Sequence, residues 1–389
     1  MDYQSLLSNR VLKVKPSGIR RFFDIATDMA DVLSLSIGEP DFVTPARIRE
    51  AGIAALRDGH TYYTANAGMP LLREEICNTL LRRFSLQYNA NEEILVTIGG
   101  SEAIDNIIRA LVNFGDEVLI PEPTFVCYAP MTTFAGGTPV PIKTFEKDKF
   151  RLTPEALKSA ITNKTKLLIL PYPSNPTGGI MEQADLEAIA DVLRPTNILV
   201  LADEIYADLT YGLPHFSFAR IPDMKERTIV VNGFSKAYAM TGWRLGYAAG
   251  PAEIMQHITK IHQFAIMSAP TISQLAAIVA LKYCDDDIEH MKSEYDKRRK
   301  FIVEGLRTLG LSCFEPQGAF YVFPSIQTTG LSSEEFCERL LFSKQVAVIP
   351  GNAFGESGEG FIRISYASSI EKIECAIEKI SEFLKELPK

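Results

Sequence analysis

Between about residues 94 and 250, short apolar runs rich in β-branched residues alternate with stretches of helical periodicity, and no other feature constrains the fold of this chain as tightly. Consecutive strands separated by a helix pair in parallel through a crossover, and a parallel sheet is covered by those helices on both faces. The runs at 94–98, 117–120, 166–170, 198–201, 228–231 and 245–248 read as strands, most of them apolar throughout, as doubly covered strands must be. Helical patterns fall between them at 101–114 and 183–193. The expected fold class is therefore α/β, with a large, mostly parallel sheet.

Beyond about residue 285 the texture changes. A charged helical stretch at 289–309 leads into strand-like segments at 319–323 and 360–365, so a smaller α+β unit is expected after the sheet. It closes on Ile370, Ile373, Ile377, Ile380, Phe383, Leu384 and Leu387, whose helical spacing gives a terminal helix one packed face. Without an internal repeat, a low-complexity tract or a Pro/Gly linker, the two units are expected to be joined by continuous helix. A chain of 389 residues accommodates two such units.

Charge and composition then exclude several classes of function. Forty-eight acidic against 40 basic side chains give a net charge of -8, which argues against a polyanion surface, so nucleic acid is not an expected partner. The uncharged stretch 264–281 is interrupted by Ser268, Pro270, Thr271, Ser273 and Gln274; it suits a helix entering a core and not a membrane span. Cysteines 77, 127, 284, 313, 337 and 375 form no CxxC pair, and the histidines at 60, 215, 257, 262 and 290 give no HExxH, so no metal site is expected. The opening Met1-Asp2-Tyr3-Gln4-Ser5 carries no secretory pattern, and a reduced, cytoplasmic setting is expected.

The chemistry gathers at strand ends, where open α/β sheets bind ligands. Thr97-Ile98-Gly99-Gly100-Ser101-Glu102-Ala103 leads from a strand into a helix, where backbone N–H groups can approach a phosphate; the same residues also make a plain helix cap. Ser174-Asn175-Pro176-Thr177-Gly178 follows another strand and by itself is a turn. Leu201-Ala202-Asp203-Glu204-Ile205-Tyr206 puts an acid at the end of an apolar strand, where a carboxylate without a cation is costly to bury. Val231-Asn232-Gly233-Phe234-Ser235-Lys236 ends in a lysine that alone would read as a surface residue, with Thr241-Gly242-Trp243-Arg244-Leu245-Gly246 just beyond. Arg363, in Phe361-Ile362-Arg363-Ile364-Ser365, is a cation in an apolar strand and demands an anionic partner.

In this order and at these spacings, the four strand ends together resemble the class I/II aminotransferases of the pyridoxal-phosphate fold-type-I superfamily, over nearly the whole chain from Gly18 to Arg363. The resemblance implies a large cofactor-binding domain at 46–284 with a seven-stranded sheet, and a small domain of 1–45 plus 285–389 that closes over the substrate. It makes Lys236 the residue that holds pyridoxal 5'-phosphate as a Schiff base and later moves a proton. Asp203 would pair with the pyridine nitrogen, Asn175 and Tyr206 with the phenolic oxygen, and Phe125 would stack on the ring. Gly100, Ser101, Ser235 and Arg244 would hold the phosphate, whose dianion suits a guanidinium fork. Tyr63 would reach the phosphate of a neighbouring subunit, which implies a homodimer with shared sites. Arg363 and the backbone of Gly38 would bind the substrate α-carboxylate.

The substrates implied are an L-amino acid and a 2-oxo acid. Several aspartate aminotransferases of the same subgroup have a lysine where this chain has Ser101, which points away from aspartate. Lys15-Pro16-Ser17-Gly18-Ile19-Arg20 and Pro171-Tyr172-Pro173-Ser174-Asn175 look more like aromatic and N-acetyl-diaminopimelate aminotransferases. The same constellation also resembles cysteine-S-conjugate β-lyases. A nicotinamide enzyme would need a GxGxxG run, and none occurs.

Overall fold

The computed structural model describes residues 1–16, 18, 19, 29 and 31–387; Ser17 and Arg20 of the N-terminal motif lie outside the described residues. In chain order the first strand is β1 (Leu33–Ser34). The sheet that positions the site is built from β2 (Ile94–Thr97), β3 (Glu117–Glu122), β4 (Thr138–Lys143), β5 (Thr165–Leu170), β6 (Leu199–Asp203), β7 (Thr228–Gly233) and β8 (Gly246–Ala249). Four short strands follow: β9 (Tyr321–Val322), β10 (Val346–Ala347), β11 (Ile349–Pro350) and β12 (Ile362–Ser365).

The seven-stranded sheet has the order β2-β8-β7-β6-β5-β3-β4. Only β8 runs against its neighbours, so the carboxyl ends of β2, β5, β6 and β7 share one edge. Alternate residues of each strand enter different cores. Val118, Leu167, Ile169 and Leu201 pack with Ile104, Ile107 and Ile108 of the helix Gly100–Leu111. Leu119, Leu168, Leu170 and Val200 pack with Leu186, Ile189 and Leu193 of the helix Gln183–Leu193. This period-two division is what a doubly covered strand requires, and it explains the uninterrupted apolar runs.

In the carboxyl-terminal part, Tyr295, Ile302 and Leu306 of the helix Asp285–Thr308 meet Phe336, Leu340 and the terminal helix Ile370–Glu386 through Ile373, Ile380 and Phe383, in a core that continues to Phe150, Tyr206, Leu209 and Tyr211 beside the large sheet. Strands β11, β12 and β9 form an antiparallel sheet, and β10 pairs in parallel with β1, which ties the N-terminal segment to this part of the fold.

Several element boundaries differ from those the sequence suggests. The helix expected over 101–114 stops at Leu111, and Phe114 stands in a turn with 92% of its surface exposed. The stretch 264–281 is not one helix: one helix ends at Ala265 and another begins at Thr271, after Pro270, which cannot continue the preceding turn. The expected continuous helix into the last part is likewise two, Thr271–Tyr283 and Asp285–Thr308, separated by Cys284 in a non-helical conformation. The charged helix also starts earlier than residue 289, its first turn filled by Asp285, Asp286 and Asp287, where acids favour the helix dipole. Strand β4 carries no strand signal in the sequence, because Pro139 and Pro141 interrupt it; prolines are tolerated there since β4 is an edge.

Candidate active site

At the carboxyl edge of the sheet lies a cavity of about 450 Å³, within the range of about 300–1,000 Å³ usual for small-molecule sites. Eleven of the twelve residues singled out from the sequence line it: Gly38, Gly100, Ser101, Phe125, Asn175, Asp203, Tyr206, Ser235, Lys236, Arg244 and Arg363. The twelfth, Tyr63, stands elsewhere with 77% of its surface exposed.

Asp203 ends β6 with its side chain buried. Its carboxylate accepts hydrogen bonds from the Tyr128 hydroxyl (2.7 Å) and the Ile205 N–H (3.2 Å). Both donors are neutral, and among the described residues no cationic nitrogen lies within ion-pair distance. Burial accordingly raises its pKa, against the two hydrogen bonds that lower it. Thus the cation that Asp203 demands is not supplied by the described chain.

Arg363, on β12, presents the opposite case. Its guanidinium donates to Asn175 Oδ1 (3.0 Å) and to the Ser36 carbonyl (2.5 Å). It also lies over the rings of Tyr321 and Phe354, 4.5 and 4.8 Å from their centroids. Its Nε is buried without a hydrogen-bond partner, and burial lowers its pKa. A buried guanidinium held only by neutral acceptors and aromatic faces is a receptor for an incoming carboxylate.

Between these two groups Lys236 Nζ donates to the Gly38 carbonyl (2.7 Å). Burial pushes the Lys236 ammonium down to about 8; Glu39 and Asp203 oppose the shift, and Arg363 and Arg244 reinforce it. Gly38 must be glycine here, because a Cβ would lie 2.5 Å from the Tyr321 hydroxyl. Tyr206 shares a hydrogen bond with that same hydroxyl (2.9 Å).

At the far end, the loop after β2 and the residues after β7 face each other. Arg244 takes a left-handed backbone conformation (φ 52°), which costs a non-glycine residue about 1–3 kcal/mol. The turn folds its guanidinium back onto the Thr241 carbonyl (2.9 Å) and the Ile98 carbonyl (3.4 Å). Gly99, at φ 99°, leaves room for it, since a Cβ there would lie 2.8 Å from Arg244 Nη2. Ser101 and Gly100 open the helix Gly100–Leu111, so free N–H groups, a serine pair and a guanidinium converge on one spot suited to a dianion.

The model of aminotransferase class I and II matches residues 30–380. The chain belongs to this family. It is 51% identical to the Bacillus subtilis protein YugH, whose aminotransferase name is itself provisional, over 98% of both chains. It is 45% identical to an aspartate aminotransferase of Pyrococcus abyssi, again over 98% of each. Among solved structures it is similar to an aromatic aminotransferase from Pyrococcus horikoshii, with a TM-score of 0.90 at 43% identity, covering 95% of this chain and 99% of that one. The protein is thus a transaminase of fold type I that depends on pyridoxal phosphate and acts on small-molecule amino and 2-oxo acids.

The residues present fit that cofactor: a buried carboxylate lacking a cation suits a protonated pyridine nitrogen, a lysine with a lowered pKa suits an aldehyde, and the Gly100–Arg244 end suits a phosphate. Two residues of this aminotransferase site escaped sequence reasoning, Tyr128 and Tyr321. Both read as ordinary core aromatics, and only contacts across 75 and 115 residues give them a place in the site. The one available signal is that Tyr128 follows Phe125 by three residues in the same turn. Among the described residues no helix is long and apolar enough to cross a membrane, and no cluster of three His, Cys, Asp or Glu side chains could hold a metal ion.

Proposed function

We propose that this aminotransferase takes the α-amino group from an aromatic L-amino acid, with Lys236, Asp203 and Arg363 as its three principal site residues. The observation that carries the substrate class is the apolar wall of Ile19 and Ile37, the latter next to Gly38, together with a serine at 101 in place of a cation. When bound, pyridoxal phosphate supplies an electron sink for the pair left at the substrate Cα. Asp203 holds the pyridine nitrogen protonated, Asn175 and Tyr206 bind the phenolic oxygen, and Phe125 covers the ring. Gly100, Ser101, Ser235 and Arg244 hold the phosphate. Arg363 grips the α-carboxylate with help from the Gly38 backbone, and that grip aims Cα–H at Lys236. The amine of Lys236, neutral above about pH 8, takes the proton from Cα and hands it on.

The division into a large domain at 46–284 and a small one of 1–45 plus 285–389 is part of this proposal, supported by the break in the helix at Cys284 and by the pairing of β1 with β10. So is a homodimer. Tyr62, Tyr63, Phe264 and Met267 are exposed, and their segments are tied together by the Asn66–Met267 and Thr271–Tyr62 hydrogen bonds, which makes one apolar patch around the residue assigned to the partner's phosphate. Six free cysteines support a reduced, cytoplasmic setting.

Single-turnover reactions of the cofactor-loaded enzyme with tyrosine, phenylalanine, aspartate and N-acetyl-LL-diaminopimelate, followed by visible absorption, test the substrate class. An aromatic donor should exceed aspartate by at least about tenfold in rate per concentration. Preference for aspartate or for the N-acetylated donor would replace the aromatic assignment. Pyruvate release from cystathionine without a 2-oxo acid would replace transamination by β-elimination as the main reaction.

A further inference from the structure

We propose that His262 is a positioning residue for phosphate binding, acting through Glu102 on the loop Ile98-Gly99-Gly100-Ser101. The inference rests on the assignment of Gly100, Ser101, Ser235 and Arg244 as the phosphate cradle.

His262 lies in the helix Ala252–Ala265 and is fully buried. Its Nδ1 is 2.6 Å from Glu102 Oε1. A carboxylate only accepts, so Nδ1 carries the hydrogen and donates it. Glu102 sits in the first turn of the helix that begins at Gly100. Its other oxygen accepts the N–H of Ile98 (2.6 Å), and Asn106 Nδ2 donates to Oε1 (2.8 Å). The residue fixed in this way, Ile98, is also the one whose carbonyl, in the next peptide, accepts from Arg244 (3.4 Å). Glu102 is therefore held from both sides, and it holds in turn the residue that leads into Gly99, Gly100 and Ser101.

A simple cap would explain Glu102 alone, because an acid in the first turn of a helix favours the dipole whatever stands behind it. It does not explain the histidine. His262 is buried with Nε2 lacking any partner, an arrangement that is unfavourable unless the Nδ1 contact matters. The imidazole, approaching from a helix 160 residues later in the chain, holds one carboxylate oxygen while the other accepts the Ile98 N–H, and so fixes the residue that leads into the phosphate loop.

The test compares binding of pyridoxal phosphate and of pyridoxal, which lacks the phosphate, to cofactor-free wild type, His262→Leu, His262→Gln, Glu102→Gln and Arg244→Ala, by fluorescence titration. His262→Leu should weaken pyridoxal phosphate by about tenfold and leave pyridoxal unchanged, and His262→Gln, which can still donate, should recover part of the loss. A purely structural role would instead weaken both ligands equally or lower only the melting temperature, and either result overturns the proposal. If His262→Leu does not fold, Glu102→Gln carries the same comparison, because it removes the charge that the imidazole fixes while keeping an acceptor for Ile98. Should Arg244→Ala also leave the preference for the phosphate unchanged, the cradle assignment itself is wrong. Loss of preference in Arg244→Ala with none in the His262 and Glu102 variants rejects the brace alone.

Discussion

Asp203 and Arg363 are buried in the lining of one cavity, and each is left without the opposite charge that burial normally requires. They are left so in different ways. Asp203 has two firm neutral donors, one from its own backbone neighbourhood, on the rigid end of a central strand. Arg363 is held by a side-chain amide, one carbonyl of the N-terminal segment and two aromatic faces, contacts that can be exchanged at small expense. The first arrangement suits a charge that arrives once and stays, as a cofactor nitrogen does. The second suits a charge that comes and goes with each turnover, as a substrate carboxylate does.

That contrast predicts different kinetic signatures. Asp203→Ala should lower kcat by about 10³-fold for every substrate, because the nitrogen it keeps charged serves all of them. Arg363→Ala should act chiefly on KM, raising it about 10²-fold for every amino acid with a smaller loss in kcat. Steady-state kinetics on two unrelated donors decides the matter. If Asp203→Ala moved KM alone, or Arg363→Ala affected one substrate only, the division between resident and transient partners would be lost.

How far the sequence reveals these groups follows from the same physics. Asp203 and Arg363 are conspicuous because a charge at the end of an apolar run or inside one is improbable unless something outside the strand neutralises it, whereas Lys236 alone reads as a surface residue and stands out only beside the other strand ends. The alternation of strands and helices is legible for a similar reason: both faces of each strand are buried, so the apolar runs are uninterrupted. Strand β4 is illegible because an edge tolerates Pro139 and Pro141. Tyr128 and Tyr321 are illegible as site residues because their hydroxyls matter only through partners brought close by the tertiary fold. Glu102 is illegible for the same reason, since its link to His262 is made only by the tertiary fold.

A pH experiment sharpens the comparison, since Lys236 lies between the two charges. Brief acylation of the cofactor-free protein at a series of pH values, read at Lys236 by peptide mass spectrometry, should give a midpoint of about 8, against about 10.4 for an exposed lysine. Below that midpoint the amine is protonated and labelling falls about tenfold per pH unit. Arg363 lowers the lysine's pKa and Asp203 raises it, so Arg363→Ala should move the midpoint up and Asp203→Ala should move it down. Shifts in the same direction would mean that burial alone sets the value and that the two residues do not act on Lys236 as opposing charges.

The smallest effect is expected at Tyr128. Its hydroxyl gives Asp203 the shorter of two hydrogen bonds, and removing it in Tyr128→Phe leaves the Ile205 N–H and the incoming nitrogen in place. Because that hydroxyl lowers the pKa of Asp203, its loss should raise the pKa further and reduce the charge available to the cofactor. One hydrogen bond to a charged acceptor is worth about 1.5 kcal/mol, so affinity for pyridoxal phosphate should fall about tenfold, and by less than in Asp203→Ala, which removes the charge itself. Titration of the cofactor-free variant measures it. A loss equal to that of Asp203→Ala would mean that the tyrosine, and not a cation from the cofactor, is what makes the carboxylate tolerable in the core. A loss near tenfold would identify the hydroxyl as a support that holds the carboxylate in place until its charged partner arrives.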